Sequence, residues 1–315
     1  MSPIVSIIVP CYNAERFVGL LLDSILAQTF GQWECIAVND GSTDSTLAIL
    51  KEYAGKDARI RAFDSPNRGA AEARNYAFSL IDSSSAYLSF MDSDDLFVPH
   101  ALETLMEACR MNPKFVGAHA VADMIDQCGL PTTHGNLAGY GQRLSVRHGR
   151  IVRINPREPS DFAAMIAASP YPPGLVLIRR SVAEALNGWD KALWPVNDQD
   201  YWIRAARHGN FAFVDQVLVH YRRHDQNASD NFPVLHAKHR LLRSRTYHSP
   251  ENTPEQKRLV REYNRAWHRL RMSEKRLRLG GSIREGNIRE AVRLTAHLAG
   301  HALQYFKGTP NAPGQ

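Results

Sequence analysis

A chain of 315 residues with 44% hydrophobic composition can bury a sizeable core, as one large domain or one domain with an appendage, which excludes disorder over most of its length. It holds no run of 18 apolar residues, which excludes an ordinary spanning helix, and the opening MSPIVSIIVPCYN has no basic leader, so it reads as a first strand and not as a signal peptide. The net charge of +6 is unevenly spread: residues 235 to 315 hold 17 Lys and Arg against six Glu and no Asp, a net of +11, which leaves the rest of the chain at −5.

In chain order, strand-like Ile4 to Val9 precedes a helix pattern at Glu15 to Gln28. Trp33 to Val38 precedes another at Ser45 to Tyr53, Arg59 to Phe63 precedes Ala70 to Ile81, and Ala86 to Phe90 reads as a fourth strand. Repeated strand-helix units predict an α/β fold with a mostly parallel central sheet flanked by helices and ligands outside the carboxyl ends of the strands. Cys11, Cys35, Cys109 and Cys128 are widely separated without zinc spacing, which fits reduced thiols of a cytoplasmic protein with no chemical role.

Two loops follow the first two strands: Pro10-Cys11-Tyr12-Asn13 and Asn39-Asp40-Gly41-Ser42-Thr43-Asp44. Both lie where a nucleotide would sit. Taken alone, the second is equally an Asp-Gly turn followed by a helix cap, Asn67-Arg68-Gly69 is an ordinary turn, and Arg74 is a helix residue with no assigned task.

Behind the fourth strand comes FMDSDDLFVPH, with Asp92, Asp94 and Asp95 inside four positions. Carboxylates held that close repel one another and need a cation, hydrogen-bond donors or open solvent. An EF-hand loop begun at Asp92 would reach Glu103 at its twelfth position, but it would put Leu96 and Phe97 where an oxygen ligand and the sharp-turn glycine belong. A solvated loop fits poorly at the end of an apolar strand. Magnesium or manganese bridging a diphosphate needs one or two carboxylates and open positions, and that fits.

The ordered set SIIVPCYNAERFVGLLLDSILAQTF, VNDGSTDST, NRGAAEARN, FMDSDDLFVP, NGWDKAL, NDQDYWIRAARHG and VHYRRH resembles the inverting glycosyltransferases of family two, which have the GT-A nucleotide-diphospho-sugar transferase fold. The resemblance covers roughly residues 3 to 225. It implies that Asp40 hydrogen-bonds the nucleotide base, that Pro10, Tyr12 and Asn13 form the floor beneath it, and that Arg74 lies alongside. Asp92 would approach the ribose and sugar and Asp94 would ligate the metal, Mn2+ or Mg2+. Asp95 would support the ligands from behind or cap a helix. Asp198, in NDQDYWIRAAR, stands at the position of the catalytic base, although Asn197 replaces the usual Glu before it. His224 is either a further metal or diphosphate ligand or a plain surface histidine.

The function implied is single-displacement transfer of a sugar from a nucleotide-diphosphate sugar, with uridine as the expected base, to a hydroxyl of a saccharide or lipid-linked acceptor. A catalytically inactive nucleotide-sugar-binding or scaffold protein of the same fold is the alternative, and Asn197 favours it. The chain divides into a GT-A domain at 1–230 and a basic amphipathic helical region at 231–315. In that region Leu259, Tyr263, Trp267 and Leu270 form a stripe beside Arg258, Arg261, Arg265 and Arg269, and Gly280-Gly281 is expected to separate this helix from a second one at Ile283 to Phe306. Packing on the main domain and a peripheral position at the inner face of the cell membrane are equally open for these helices; nucleic acid is not an expected partner. Gly129 to Ser160 matches nothing firmly and is assigned to the acceptor side.

Overall fold

The computed structural model describes residues 4–136, 143–170, 172–227, 232–284 and 287–307. Its first half follows the expected alternation: β1 (Val5–Cys11), α1 (Val18–Leu26), β2 (Trp33–Asp40), α2 (Thr46–Lys56), β3 (Ile60–Ser65), α3 (Ala70–Phe78) and β4 (Tyr87–Phe90). Every residue of β1, β2 and β4 is buried, as central strands covered on both faces require. These strands run parallel in the order β3-β2-β1-β4. The chain winds outward from β1 to β3 and then returns to set β4 on the other side of β1, and such a reversal opens a crevice beyond the carboxyl ends of the strands.

The second half extends the same sheet. After β5 (Leu96–Phe97) and α4 (Ala101–Arg110) come β6 (Gly117–Ile125), β7 (Pro131–Asn136), the hairpin β8 (Leu144–Arg147) and β9 (Arg150–Arg153), and α5 (Phe162–Ala167). They lead to β10 (Val176–Arg179), α6 (Arg180–Ala185), α7 (Asn197–Ala205) and β11 (Phe211–Arg222). The sheet continues β4-β10-β6-β11-β5, with β10 antiparallel to both its neighbours, β11 parallel to β6, and β5 antiparallel to β11. The long ladders are the parallel ones, so the expected mostly parallel α/β sheet stands, with short antiparallel strands added to it. Because β5 directly follows the three aspartates and pairs with β11, the end of β11 returns beside them.

Three helices close the described chain: α8 (Phe232–His248), α9 (Pro254–Arg284) and α10 (Ile288–Lys307). Gly280-Gly281 does not separate helices, since α9 runs through the pair to Arg284. Two helical glycines cost about 1 kcal/mol each, and the antiparallel packing of α10 on α9 offsets that, with His268 against His301 (2.8 Å) and Arg269 Nη2 donating to Tyr305 (3.1 Å). The stripe on α9 is also shifted: Val260 and Asn264 are buried, while Leu270 is exposed. Leu242 of α8 and Val260 of α9 belong to the same apolar core as the sheet. No described helix is long and apolar enough to cross a membrane.

Candidate active site

The carboxyl ends of β1, β2 and β4 bring the expected residues together. Pro10 is buried in β1, and Tyr12 just beyond it is half exposed, free to offer a ring face. Asn13 adopts a left-handed conformation (φ 47°), and its Oδ1 accepts from the Thr43 amide (2.9 Å) while its own amide donates to Ser42 Oγ (3.0 Å). The loops after β1 and β2 are thus laced to each other. Asp40 ends β2 fully buried, and its two oxygens accept from the amides of Arg68 (2.9 Å) and Gly69 (2.8 Å). Gly69 has φ +90°, a backbone that residues with a Cβ rarely adopt. Asp40 therefore holds the loop that leads into α3. Each carboxylate oxygen keeps a second lone pair for a further donor.

Arg74, on α3, is buried and forms an ion pair with Asp92, and its guanidinium lies 4.6 Å from the centroid of the Trp189 ring. Asp92, Asp94 and Asp95 place one carboxylate oxygen each within 4.8 Å of one another. His224 Nε2 lies 2.8 Å from Asp94 Oδ2, and its side chain is only 7% exposed and packs on Phe17, so it is no plain surface histidine. Asp95 caps no helix. It is fully buried, and its Oδ1 accepts from the Arg222 amide (2.9 Å), while its Oδ2 has no partner among the described residues. Burial, reinforced by the charges of Asp94 and Asp92, pushes the Asp95 carboxyl far above the usual carboxylate range. An orphaned oxygen beside two more carboxylates and an imidazole is a donor set suited to a divalent cation, and the mixture of oxygen and nitrogen suits Mn2+ at least as well as Mg2+.

Asp198 lies in the first turn of α7, 3% exposed, and among the described residues no side chain hydrogen-bonds either of its oxygens. Burial, with a further contribution from the Asp92 charge, raises its pKa to about 7; the nearby Gln199 amide and Arg74 pull the other way. Asp198 is thus coupled electrostatically to Asp92 and Arg74 of the strand-end cluster. What holds it there is aromatic. Trp189 stacks on Tyr201 (4.4 Å between centroids, 11° between planes), and Phe90 meets both rings edge-on. Asn75 on α3 clamps Trp189 at both ends, accepting from its amide (2.7 Å) and donating to its carbonyl (3.0 Å). Gly188, just before, leaves no room for a Cβ, which would sit 2.8 Å from Asn75 Oδ1.

Three of these supporting residues were missed at the level of sequence. Asn75 and Trp189 lie inside the quoted segments NRGAAEARN and NGWDKAL but carry no charge to draw attention. Arg222, in VHYRRH, is 1% exposed; its Nε donates to the Asp94 carbonyl (2.8 Å) and its Nη1 to the Asp126 carbonyl (3.1 Å). An arginine two positions before a candidate ligand was the available signal. Residues 137 to 142, within the segment assigned to the acceptor side, lie outside the described residues.

An aspartate-lined crevice at a sheet reversal, with a buried carboxyl electrostatically coupled to it, is an arrangement suited to binding and group transfer. The chain matches the glycosyl transferase family 2 profile over residues 6–186, more than half its length, and belongs to that family. It is 40% identical over 112 residues to the uncharacterized glycosyltransferase EpsJ of Bacillus subtilis, a match covering 36% of this chain and 32% of that relative, so only about a third of the relative's length is spanned. Among solved structures it is similar to S. aureus TarS 1–349 in complex with UDP-GlcNAc, with a TM-score of 0.63 and 18% identity over 84% of this chain and 72% of that one. It is also similar to the mannosyltransferase PcManGT from Pyrobaculum calidifontis in complex with GDP-Man and Mn2+, with a TM-score of 0.60 and 17% identity over 98% of this chain and 84% of that one. The fold is accordingly GT-A-like, with a helical C-terminal region.

Proposed function

We propose that this chain is a metal-dependent inverting glycosyltransferase that moves a sugar from a UDP-sugar to a hydroxyl of a saccharide or lipid-linked acceptor. The observation that carries this reading is Asp198: a buried carboxyl with a pKa near 7, without a side-chain partner among the described residues and within the electrostatic influence of the Arg74–Asp92 pair. Such a group is poised to accept a proton near neutral pH. Asp198 removes the proton from the acceptor hydroxyl as that oxygen attacks the anomeric carbon. The bond to the diphosphate breaks on the opposite face, and configuration inverts. Arg74 orients Asp92 toward the ribose and sugar, and Trp189 fixes Arg74. Asp94 and His224 would hold the divalent cation, Mn2+ or Mg2+, which supplies positive charge to the departing diphosphate.

The base is read from Asp40. Its carboxylate can accept from the N3–H of uracil, whereas guanine presents a different edge. The fold does not select the base, since one similar structure contains UDP-GlcNAc and the other GDP-Man. In the same reading residues 1–230 form the transferase domain and 231–315 a helical region packed on it, in a cytoplasmic protein that rests peripherally on the inner face of the membrane. Asn197, which departs from the usual Glu before Asp198, favours a second reading, an inactive nucleotide-sugar-binding protein; its Nδ2 is buried without a partner among the described residues.

A screen of nucleotide sugars for diphosphate release, with saccharide and lipid-linked acceptors and with Mn2+, Mg2+ or chelator, tests the proposal. Metal-dependent release from a UDP-sugar is expected, and a folded Asp94→Ala variant should lose it. Binding of UDP without product from any acceptor would favour the second reading.

A further inference from the structure

A cavity of about 1070 Å³ lies between α5, α7 and the three C-terminal helices. It is roughly the volume of a large small-molecule site. Six of its lining residues are Arg240, Arg243, Arg271, Lys275, Arg278 and Arg293, and Glu274 is the one carboxylate among the described lining residues. Arg271 is paired with Glu274 (2.9 Å), and Arg278 and Arg293 share Glu290 (3.4 and 2.7 Å). Among the described residues, Arg240, Arg243 and Lys275 have no carboxylate at ion-pair distance. Arg243 lies over Trp267, 4.0 Å from its centroid. Burial and the charges of Arg271, Arg278 and Arg293 pull Lys275 below its ordinary pKa, as expected where positive charge is in excess.

The cavity shares a wall with the candidate active site. Gln199 and Ile203 of α7 line it, and Gln199 directly follows Asp198. The nucleotide residues sit instead at the ends of β1, β2 and β4. One helix therefore presents the base on one side and the wall of a cationic chamber on another. The acceptor must approach the base, and clustered arginine and lysine donors in a partly open cavity are suited to phosphate.

We infer that this cavity holds the phosphate-bearing part of an anionic acceptor, a saccharide carrying phosphate or diphosphate, delivered to Asp198 across α7. The inference rests on the proposed transferase reading but is tested without turnover. The full chain is titrated calorimetrically with inorganic pyrophosphate in excess chelator, so that the three aspartates repel the probe instead of holding it through a metal. Binding should weaken about 10-fold or more in Arg271→Gln/Lys275→Gln, as loss of charge-assisted bonds predicts, and should persist in Asp94→Ala. UDP affinity in Mn2+ should be unchanged in the tail pair, which shows that the variant is folded. If the pair does not fold, the exposed single change Arg240→Gln should weaken pyrophosphate about 3-fold.

Competition against pyrophosphate by a lipid-linked saccharide diphosphate in micelles and by a soluble phosphosaccharide then separates the two sources, the stronger competitor naming the acceptor class. No pyrophosphate binding, binding indifferent to the tail substitutions, binding lost in Asp94→Ala, or attraction of the tail to anionic vesicles without any pyrophosphate site would each overturn the inference. Absence of transfer with every donor and acceptor would instead overturn the transferase reading while leaving the pyrophosphate result intact.

Discussion

Asp198 carries opposite consequences for stability and for activity. Its folded pKa of about 7 lies above the ordinary 3.8, so the folded state binds the proton more tightly than the unfolded chain. The stability this group contributes is therefore complete below pH 3.8 and is lost as pH rises through 7. At about 1.4 kcal/mol per pH unit, the loss approaches about 4 kcal/mol as an upper bound. In metal-free buffer at pH 8, Asp198→Asn should melt several degrees above the unsubstituted protein, with the difference vanishing toward pH 4; equal melting at pH 8 would show that the carboxyl is solvated. For the same reason kcat/KM should rise with pH through a midpoint near 7, because only the ionised base accepts a proton. Asp40 makes a second prediction at this scale. Calorimetry should rank UDP above dTDP and both above GDP, and Asp40→Ala should weaken UDP about 10-fold or more, since it loses both the base contact and the clamp on the Arg68 and Gly69 amides. A GDP preference or an unchanged UDP affinity would contradict the pocket assignment. The charged members of the site were legible in the sequence because carboxylates behind apolar strands are conspicuous. Asn75, Trp189 and Arg222 were not, because they act through packing and hydrogen bonds between segments more than 90 residues apart.

At the scale of elements, strands β1 to β4 and helices α1 to α3 were readable from the regular succession of apolar runs and helical patterns. Strands β5 and β10 fall outside that succession, β5 with only two residues, and their antiparallel pairing is set by tertiary contacts. The Gly280-Gly281 expectation failed for a related reason: local propensity favours a break, but a partner helix lies alongside to hold α9 straight. The C-terminal helices also differ in what they support. Leu242 and Val260 lie in the core shared with the sheet, whereas α10 packs on α9 through Leu294 and leaves Ile288, Val292 and Leu303 exposed. Fully burying one such side chain stabilises by about 1.5–3 kcal/mol. A chain ended after Ser249 should therefore melt at least several degrees lower than one ended after Arg284. Equal melting temperatures would mean that α9 is not part of the folded core.

Across the whole molecule, charge is divided as the sequence indicated, with an acidic crevice in the sheet and a basic helical region beside it. The end of α9 and the start of α10 carry exposed Leu277, Ile283, Ile288 and Val292 and exposed Arg276, Arg284 and Arg289, with Ile288 and Val292 four apart on one face of α10. An apolar stripe flanked by cations can lie at an anionic surface, with about 1 kcal/mol from each near-surface cation. Flotation with anionic vesicles should be salt-sensitive, and Ile288→Glu/Val292→Glu should reduce it several-fold; flotation indifferent to both salt and substitution would remove the membrane role. The central claim is that Asp198 is the base of a sugar transfer, and single-turnover transfer at saturating donor and metal tests it most directly. Asp198→Asn should bind donor almost as tightly as the unsubstituted protein and transfer at least about 10²-fold more slowly. Collapse of donor affinity with transfer persisting at saturation would make Asp198 a binding residue and contradict the account.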